Sequence, residues 1–302
     1  MPETTLGAPG RAAASVRRAA AAPATAAPAA PTGTQSVERA ISLLRILARR
    51  DAGGARLVDV VADSGLNKPT VRRLLLVLMR EGLVDQDPGS RRYHLGVETF
   101  ALGSVAAERF GIRKIAAPAV LRIAEASGDT AYLSVRSGFD AICVERQEGA
   151  FPIRTLTLAV GDRRPLGVGA GSLALLSFQP DPNEIRSIID VNAGRVNAYA
   201  PRIEPQRLLS LVDQTRAQGY AFNDGMIVAG MSAVAVPILN RRGEPEAALS
   251  IAAIDSRMSP ERRAQLLALL QRERERIEQQ LGRTQSPGVR DLAMRARGRM
   301  RA

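Results

Sequence analysis

The chain has 302 residues, a net charge of +12 from 42 Lys+Arg against 30 Asp+Glu, and 45% hydrophobic residues, the balance of a folded protein of roughly two domains. One cysteine (Cys143) and one histidine (His94) exclude a disulfide framework, a multi-cysteine zinc site and an iron–sulfur cluster within one chain, and leave any histidine-dependent catalytic centre only His94. No run reaches the roughly 18 apolar residues of a membrane span, so no membrane partner is expected, and the cysteine poverty fits a reducing, cytoplasmic setting.

Residues 1–34 carry Arg11, Arg17 and Arg18 ahead of an Ala/Pro stretch. Pro23, Pro28 and Pro31 interrupt it and no Leu, Ile or Phe core follows, so it reads as a disordered tail rather than an export signal. The charge is unevenly spread: residues 35–96 carry +4 and residues 283–302 carry +5, whereas the long stretch 97–282 carries only +1. A basic excess confined to one small segment and the tails is the distribution expected of a segment that meets a polyanion. The Arg-rich C-terminal tail, with Arg295, Arg297, Arg299 and Arg301, fits either nonspecific DNA affinity or a merely solvated end.

After the tail, Ser36 is placed to cap a helix with Val37, Ile41, Leu44 and Leu47 on its apolar face. Asp51-Ala-Gly-Gly54 ends it. A second helix near Leu57–Ser64 points Leu57, Val60 and Val61 inward, and Gly65 supplies the turn. The third runs through Asn67–Glu81, with Pro69 in its first turn, Val71, Leu74, Leu75 and Leu78 on the core side, and Lys68, Thr70, Arg72 and Arg73 facing out. Two short strands, about Leu83–Gln86 and Arg91–Leu95, flank the turn Asp87-Pro-Gly-Ser90, with Arg91 and Arg92 at its tip. Three helices and a hairpin make a winged helix-turn-helix, whose third helix enters the DNA major groove by its N-terminal, polar end. Lys68 and Arg72 suit phosphates or guanine edges; Arg91 and Arg92 suit phosphate or minor-groove contact. The same charges would also serve as the solvated face of a protein–protein module.

Beyond Ile112, helices alternate with short apolar strands: Ala131–Arg136, Ala141–Arg146, Ile153–Leu158, Ser232–Leu239 and Ala247–Ile254 read as strands, Pro205–Gln218 and Pro260–Leu281 as helices. This is the pattern of an α+β sensor domain. Pro165-Leu-Gly-Val-Gly-Ala-Gly-Ser-Leu-Ala174 places Gly167, Gly169 and Gly171 at a helix start. Free N–H groups there can hold a carboxylate, and close helix–sheet packing explains the glycines equally well. A dinucleotide fingerprint is absent.

Gln35-Ser-Val-Glu-Arg-Ala-Ile-Ser-Leu-Leu44, Gly65-Leu-Asn-Lys-Pro-Thr-Val-Arg-Arg-Leu-Leu75 and Tyr93-His-Leu-Gly96 resemble, in order and spacing, segments of the IclR family of bacterial transcriptional regulators. So do Gly128-Asp-Thr130, Val160-Gly-Asp-Arg-Arg-Pro-Leu166, Gly219-Tyr-Ala-Phe-Asn-Asp224 and Ala235-Val-Pro237, so the resemblance spans about residues 35–282. It implies an N-terminal winged helix-turn-helix (35–96), a linker helix (97–112, its helical part about Val97–Phe110), a C-terminal GAF-like effector domain (113–282), and dimers or dimers of dimers on palindromic operators near metabolic genes. Phe100, Ala101, Leu102, Val105 and Ala106 of the linker would meet a partner subunit or an intramolecular core.

The resemblance also places the effector pocket at Tyr132, Gly169, Ala170, Asp224, Met231, Ala233, Ser250 and Ala252. Asp224 fits an effector ligand or a turn cap equally. The chain departs from the family at Val168-Gly169, Gly225 and Ala233, where polar residues, Glu and Cys are common, which points to a somewhat larger, partly apolar carboxylate. His94 reads as structural or phosphate-contacting, and Cys143 as an ordinary buried thiol. Together these features describe a ligand-responsive transcriptional regulator with double-stranded DNA, a small effector and its own copies as partners, no cofactor and no catalytic centre. The alternative is a small-molecule sensor or scaffold without operator recognition.

Overall fold

The computed structural model describes residues 34–50, 53–109, 111–153, 157–201 and 203–284; nearly all of both expected tails lies outside them. The N-terminal part opens with α1 (Gln35–Ala48), α2 (Leu57–Ser64) and α3 (Lys68–Arg80), followed by the antiparallel pair β1 (Val84–Gln86) and β2 (Tyr93–Leu95). Thr34, not Ser36, holds the cap position of α1. The helix also turns differently from its expected face: Leu43, Ile46 and Leu47 are buried, whereas Val37 and Ile41 are exposed. α1 is apolar on two sides, and packing on α2 and α3, not periodicity, selects which side goes in. In α3, Val71, Leu74, Leu75 and Leu78 are buried as their spacing requires, and the Asn67 side chain caps the helix by accepting from Thr70 N–H at 2.9 Å.

α4 (Val97–Arg109) follows, and exposes Val97, Phe100, Leu102 and Val105. α5 (Ile112–Ser127) leads into β3 (Thr130–Ser137), β4 (Asp140–Gln147) and β5 (Arg163–Pro165). Then come α6 (Ala170–Ser177), α7 (Pro182–Tyr199), α8 (Pro205–Gln218), β6 (Ala221–Asp224), β7 (Met231–Leu239), β8 (Pro245–Ile254) and α9 (Pro260–Thr284). The six strands form one antiparallel sheet in the order β5-β4-β3-β8-β7-β6, the α+β arrangement expected.

Because successive side chains point to opposite faces, each central strand has two characters. Leu133 of β3, Val234, Val236 and Ile238 of β7, and Leu249 and Ile251 of β8 pack on α5 and α9. Their neighbours Ser134, Ala233, Ala235, Ala248, Ser250 and Ala252 point to the other face, under α6. α6 is buried at all eight positions, so it is apolar nearly all round and joins Leu166, Ile188 and Leu208 in the second core layer. Large side chains thus fill one side of the sheet, and small ones leave space on the other.

The expected strand at Ile153–Leu158 is not found: Ile153, Thr157 and Leu158 are irregular, and residues 154–156 lie outside the described ones. The carbonyls of Thr157 and Leu158 accept from arginine side chains, Arg164 at 2.6 Å and Arg146 at 3.1 Å, rather than from a neighbouring strand. Two buried carboxylates are paired on the α5/α9 side, Asp129 with Arg257 at 2.8 and 3.1 Å, and Glu273 with Arg122 at 2.6 Å. Their burial without such partners would be prohibitive.

Candidate nucleic-acid interface and ligand cavity

In the N-terminal part, α2, α3 and the β1–β2 hairpin enclose a surface groove lined by Arg56, Lys68, Arg72 and Arg91 together with Gln86 and Ser90. The structure therefore brings together three of the six expected DNA-contacting residues, Lys68, Arg72 and Arg91. Arg73 is also exposed on α3, and Thr70 half-buried, but neither lines the groove. Arg92 is turned away: its guanidinium donates to the carbonyls of Gly53 and Gly54 at 3.3 and 3.2 Å, tying the hairpin to the loop before α2. Among the described residues Lys68, Arg72, Arg73 and Arg91 form no ion pair, whereas Arg56 is committed to Asp59, which its hydrogen bond holds below the usual carboxylate range. Cations left unpaired on a helix-turn-helix surface are available to phosphates.

The hairpin tip is built to aim Arg91. The Asp87 carboxylate accepts from Ser90 N–H and Oγ–H, both at 2.6 Å, bonds that also lower its pKa. Arg91 has φ +56°, a left-handed conformation unusual for a residue with a Cβ, and Gln86 Nε2 donates to its carbonyl at 3.0 Å. His94 sits elsewhere, its ring against Gly54, where a Cβ would come within 2.4 Å of Cε1. That contact supports the structural reading of the histidine.

The second site lies on the small-residue face of the sheet, at the amino end of α6. A cavity of about 60 Å³ is bounded by β3, β8, β7, the α6 start and the turn after β6. Of the eight expected effector residues, Tyr132, Gly169, Ala170, Met231, Ala233, Ser250 and Ala252 line it. Asp224 does not: it is exposed at the end of β6, and its neighbour Asn223 lines the cavity instead, its carboxamide oxygen accepting from Met226 N–H at 3.1 Å.

The sequence reading passed over Ser134, Thr157, Leu158, Arg164, Ile227 and Val228, which also line the space. Ser134 was detectable, since it shares the β3 alternation with Tyr132. Arg164 was not, because in sequence it is one of two adjacent arginines before Pro165. Burial, above all, pulls the Arg164 guanidinium below its ordinary pKa and pushes the Tyr132 phenol above its own. Cys143, also in the wall, is pushed up to about 12 by burial, with Asp162 adding to the effect, so it stays a thiol at neutral pH.

The N–H groups of Ala170, Gly171 and Ser172, the first turn of α6, have no carbonyl partner among the described residues; the first to bond back is Leu173, to Gly169 at 2.8 Å. Gly169 itself adopts φ +89°, ψ 159°, a conformation almost restricted to glycine, which lets the chain enter the helix beside the cavity.

Residues 36–88 match the IclR helix-turn-helix domain, and residues 104–279, more than half of the chain, match the C-terminal domain of the bacterial transcriptional regulator IclR. The chain belongs to the IclR family. It is 30% identical over 242 residues to the HTH-type transcriptional repressor AllR of Salmonella paratyphi A, covering 80% of this chain and 87% of that protein. An IclR transcriptional regulator from Alicyclobacillus acidocaldarius superposes with a TM-score of 0.66 at 26% identity, over 82% of this chain and 98% of that one. An IclR homologue from Microbacterium hydrocarbonoxydans, solved as a complex with 4-hydroxybenzoate, has the same fold, with a TM-score of 0.66 at 21% identity over 82% and 98% of the two chains. As an IclR-family protein it is a transcriptional regulator, with a helix-turn-helix DNA-binding domain and an effector domain, and not an enzyme. Among the described residues no helix is long and apolar enough to cross a membrane.

Proposed function

We propose that this regulator binds a palindromic operator near metabolic genes as a dimer or a dimer of dimers, and that a small carboxylate in the cavity beside α6 changes its operator affinity. The observation that carries the DNA half is the groove in which Lys68, Arg72 and Arg91 converge from α3 and the wing without acidic partners. Arg73, Thr70 and Arg92 complete the expected contact set, with Arg92 holding the wing in place. Self-association is supported by α4, where Phe100 and Val105 are about three-quarters exposed and Val97 beside them nearly as much, an apolar face without cover among the described residues.

The effector reading is supported by a cavity whose lining mixes apolar side chains with a few polar ones, and by the 4-hydroxybenzoate bound to the Microbacterium relative. Ile227, Val228 and Met231, from the turn after β6 and the start of β7, line the cavity and offer apolar surface to the rest of such an acid. The ligand acts only if it binds one arrangement of the DNA-binding parts more tightly than another.

The test is fluorescence anisotropy with the DNA upstream of the chain's own gene, under excess random competitor and over a salt series. Competitor-resistant binding that a carboxylate strengthens or weakens is the expected result. Failure on this DNA and on a promoter library, with and without carboxylates, would overturn operator recognition and leave the chain a sensor.

A further inference from the structure

Among the described residues the cavity lining holds one cation and no acid. Its lining contains Arg164 but no Asp, Glu, Lys or second Arg. The Arg164 guanidinium donates to the Thr157 carbonyl at 2.6 Å, and among the described residues it makes no other hydrogen bond and no ion pair. Asp162, which acts on it through space, spends its oxygens elsewhere, accepting from Ala159 N–H at 2.8 Å and facing Arg49 at 3.7 Å. A largely buried guanidinium with most of its five donors unused is costly, and its natural complement is a planar anion.

Its surroundings are arranged to receive one. Nη1 of Arg164 lies 3.5 Å from where a Cβ on Gly169 would stand, so the charge sits at the amino end of α6. One residue pair further in, the hydroxyls of Ser134 and Ser250 lie 3.5 and 3.4 Å from the corresponding point on Gly171. Both serines are more than nine-tenths buried, both line the cavity, and neither hydroxyl has a partner among the described residues. Three groups from three strands, β5, β3 and β8, thus offer unused hydrogen-bonding capacity along the first turn of α6, Arg164 beside Gly169 and the two serines beside Gly171, next to backbone N–H groups without carbonyl partners among the described residues. Ile227, Val228 and Met231 add apolar surface to the lining.

We propose that Arg164 is the specificity-determining residue of this cavity, the counter-ion for a small carboxylate whose oxygens lie between its guanidinium, the Ser134 and Ser250 hydroxyls and the α6 amino end, with the rest of the ligand against the apolar side chains of the lining. The helix end and the serines orient the ligand, but an amide would satisfy them nearly as well. Charge discrimination therefore belongs to Arg164. This inference rests on the cavity being the effector site, and it adds the residue that decides which effectors are admitted.

The test compares matched pairs, propionate with propionamide and benzoate with benzamide, by calorimetry and thermal shift on the full-length protein, its Arg164→Met variant and its Arg164→Lys variant. In the wild type each acid binds at least about tenfold more tightly than its amide. In R164M that ratio falls to near one while circular dichroism stays native, and R164K recovers part of it. Equal binding of acid and amide by the wild type, no binding of either acid, or an R164M variant that keeps the preference would each overturn the proposal. The wild-type comparison does not depend on either variant folding.

Anisotropy on the upstream DNA separates this inference from the reading beneath it. Acid-selective binding that leaves DNA affinity unchanged supports Arg164 as the anchor and removes the regulatory role of the acid. A DNA response to acid and amide alike retains the regulatory role and removes Arg164.

Discussion

The two functional regions of this molecule solve opposite electrostatic problems. In the DNA-binding part the charges proposed to contact DNA stand in solvent: Lys68, Arg72, Arg73 and Arg91 are exposed and unpaired among the described residues, above a buried cluster that includes Leu43, Val60, Val71 and Leu75. In the effector domain the groups proposed to hold the ligand are inside. Arg164, Ser134 and Ser250 line a gap between a buried helix and the small-residue face of a sheet, so the packing itself shapes the cavity. Substitutions should therefore separate binding from stability in the first region and couple them in the second.

The largest expected effect tests the first half of that contrast. Reversing both charges in Arg72→Glu/Arg73→Glu should cost about a hundredfold or more in operator affinity and flatten its salt dependence, with the urea midpoint unchanged. A fall in stability of similar size would mean these side chains also support the head, and the separation would fail.

Gly167→Ala probes the coupled region. Gly167 has φ +98°, and a Cβ there would stand 2.8 and 2.9 Å from the buried Leu208 methyls, so the loss should reach about 2–4 kcal/mol by urea unfolding. Gly138→Ala, at φ +62° but with nothing within 4 Å, should cost only about 1 kcal/mol. Equal costs would show that backbone conformation, not packing under α6, limits this domain.

Cys143 supplies a pH test of the same interior. Its folded pKa is raised to about 12, so the free energy of keeping it a buried thiol is fully present below about pH 8.5 and is lost as pH climbs toward 12. The urea midpoint of the wild type should fall more steeply between pH 8.5 and pH 10.5 than that of Cys143→Ala. Parallel slopes would place the thiol in contact with water.

The smallest effects sharpen the comparison within the wing. Arg91→Ala should lower the log–log salt slope of DNA binding by about one and leave melting alone. Arg92→Ala, which removes the donors to Gly53 and Gly54, should instead lower the melting temperature and change the slope less. Two identical slope changes would reassign Arg92 to direct phosphate contact.

Most of the DNA-binding part was legible in the sequence because its signals are local. An Asn-Lys-Pro start, a 3.6-residue apolar stripe and an Asp-Pro-Gly-Ser turn each act within a few residues, and the structure returns α3 and the hairpin nearly where they were read. The exception, the inward face of α1, is the one feature there that depends on which neighbour packs first. In the effector domain the strands and closing helix were readable for the same reason, while Thr157 and Leu158, whose carbonyls accept from arginine side chains of β5 and β4, were not.

By itself, then, the sequence determined the family, the order of the elements, the surface cations and the alternation of small and large residues in β3, β7 and β8, because each is carried by neighbouring residues or by composition. Only the tertiary structure decided that Arg92 braces the wing while Arg91 faces the groove, that Asn223 and not Asp224 meets the cavity, and that Arg164 points inward while Arg163 pairs with Asp140 at 3.2 Å. Adjacent residues on a strand point to opposite faces, and which face is buried is set by the helix laid across it, some residues away in sequence and a few ångströms away in space.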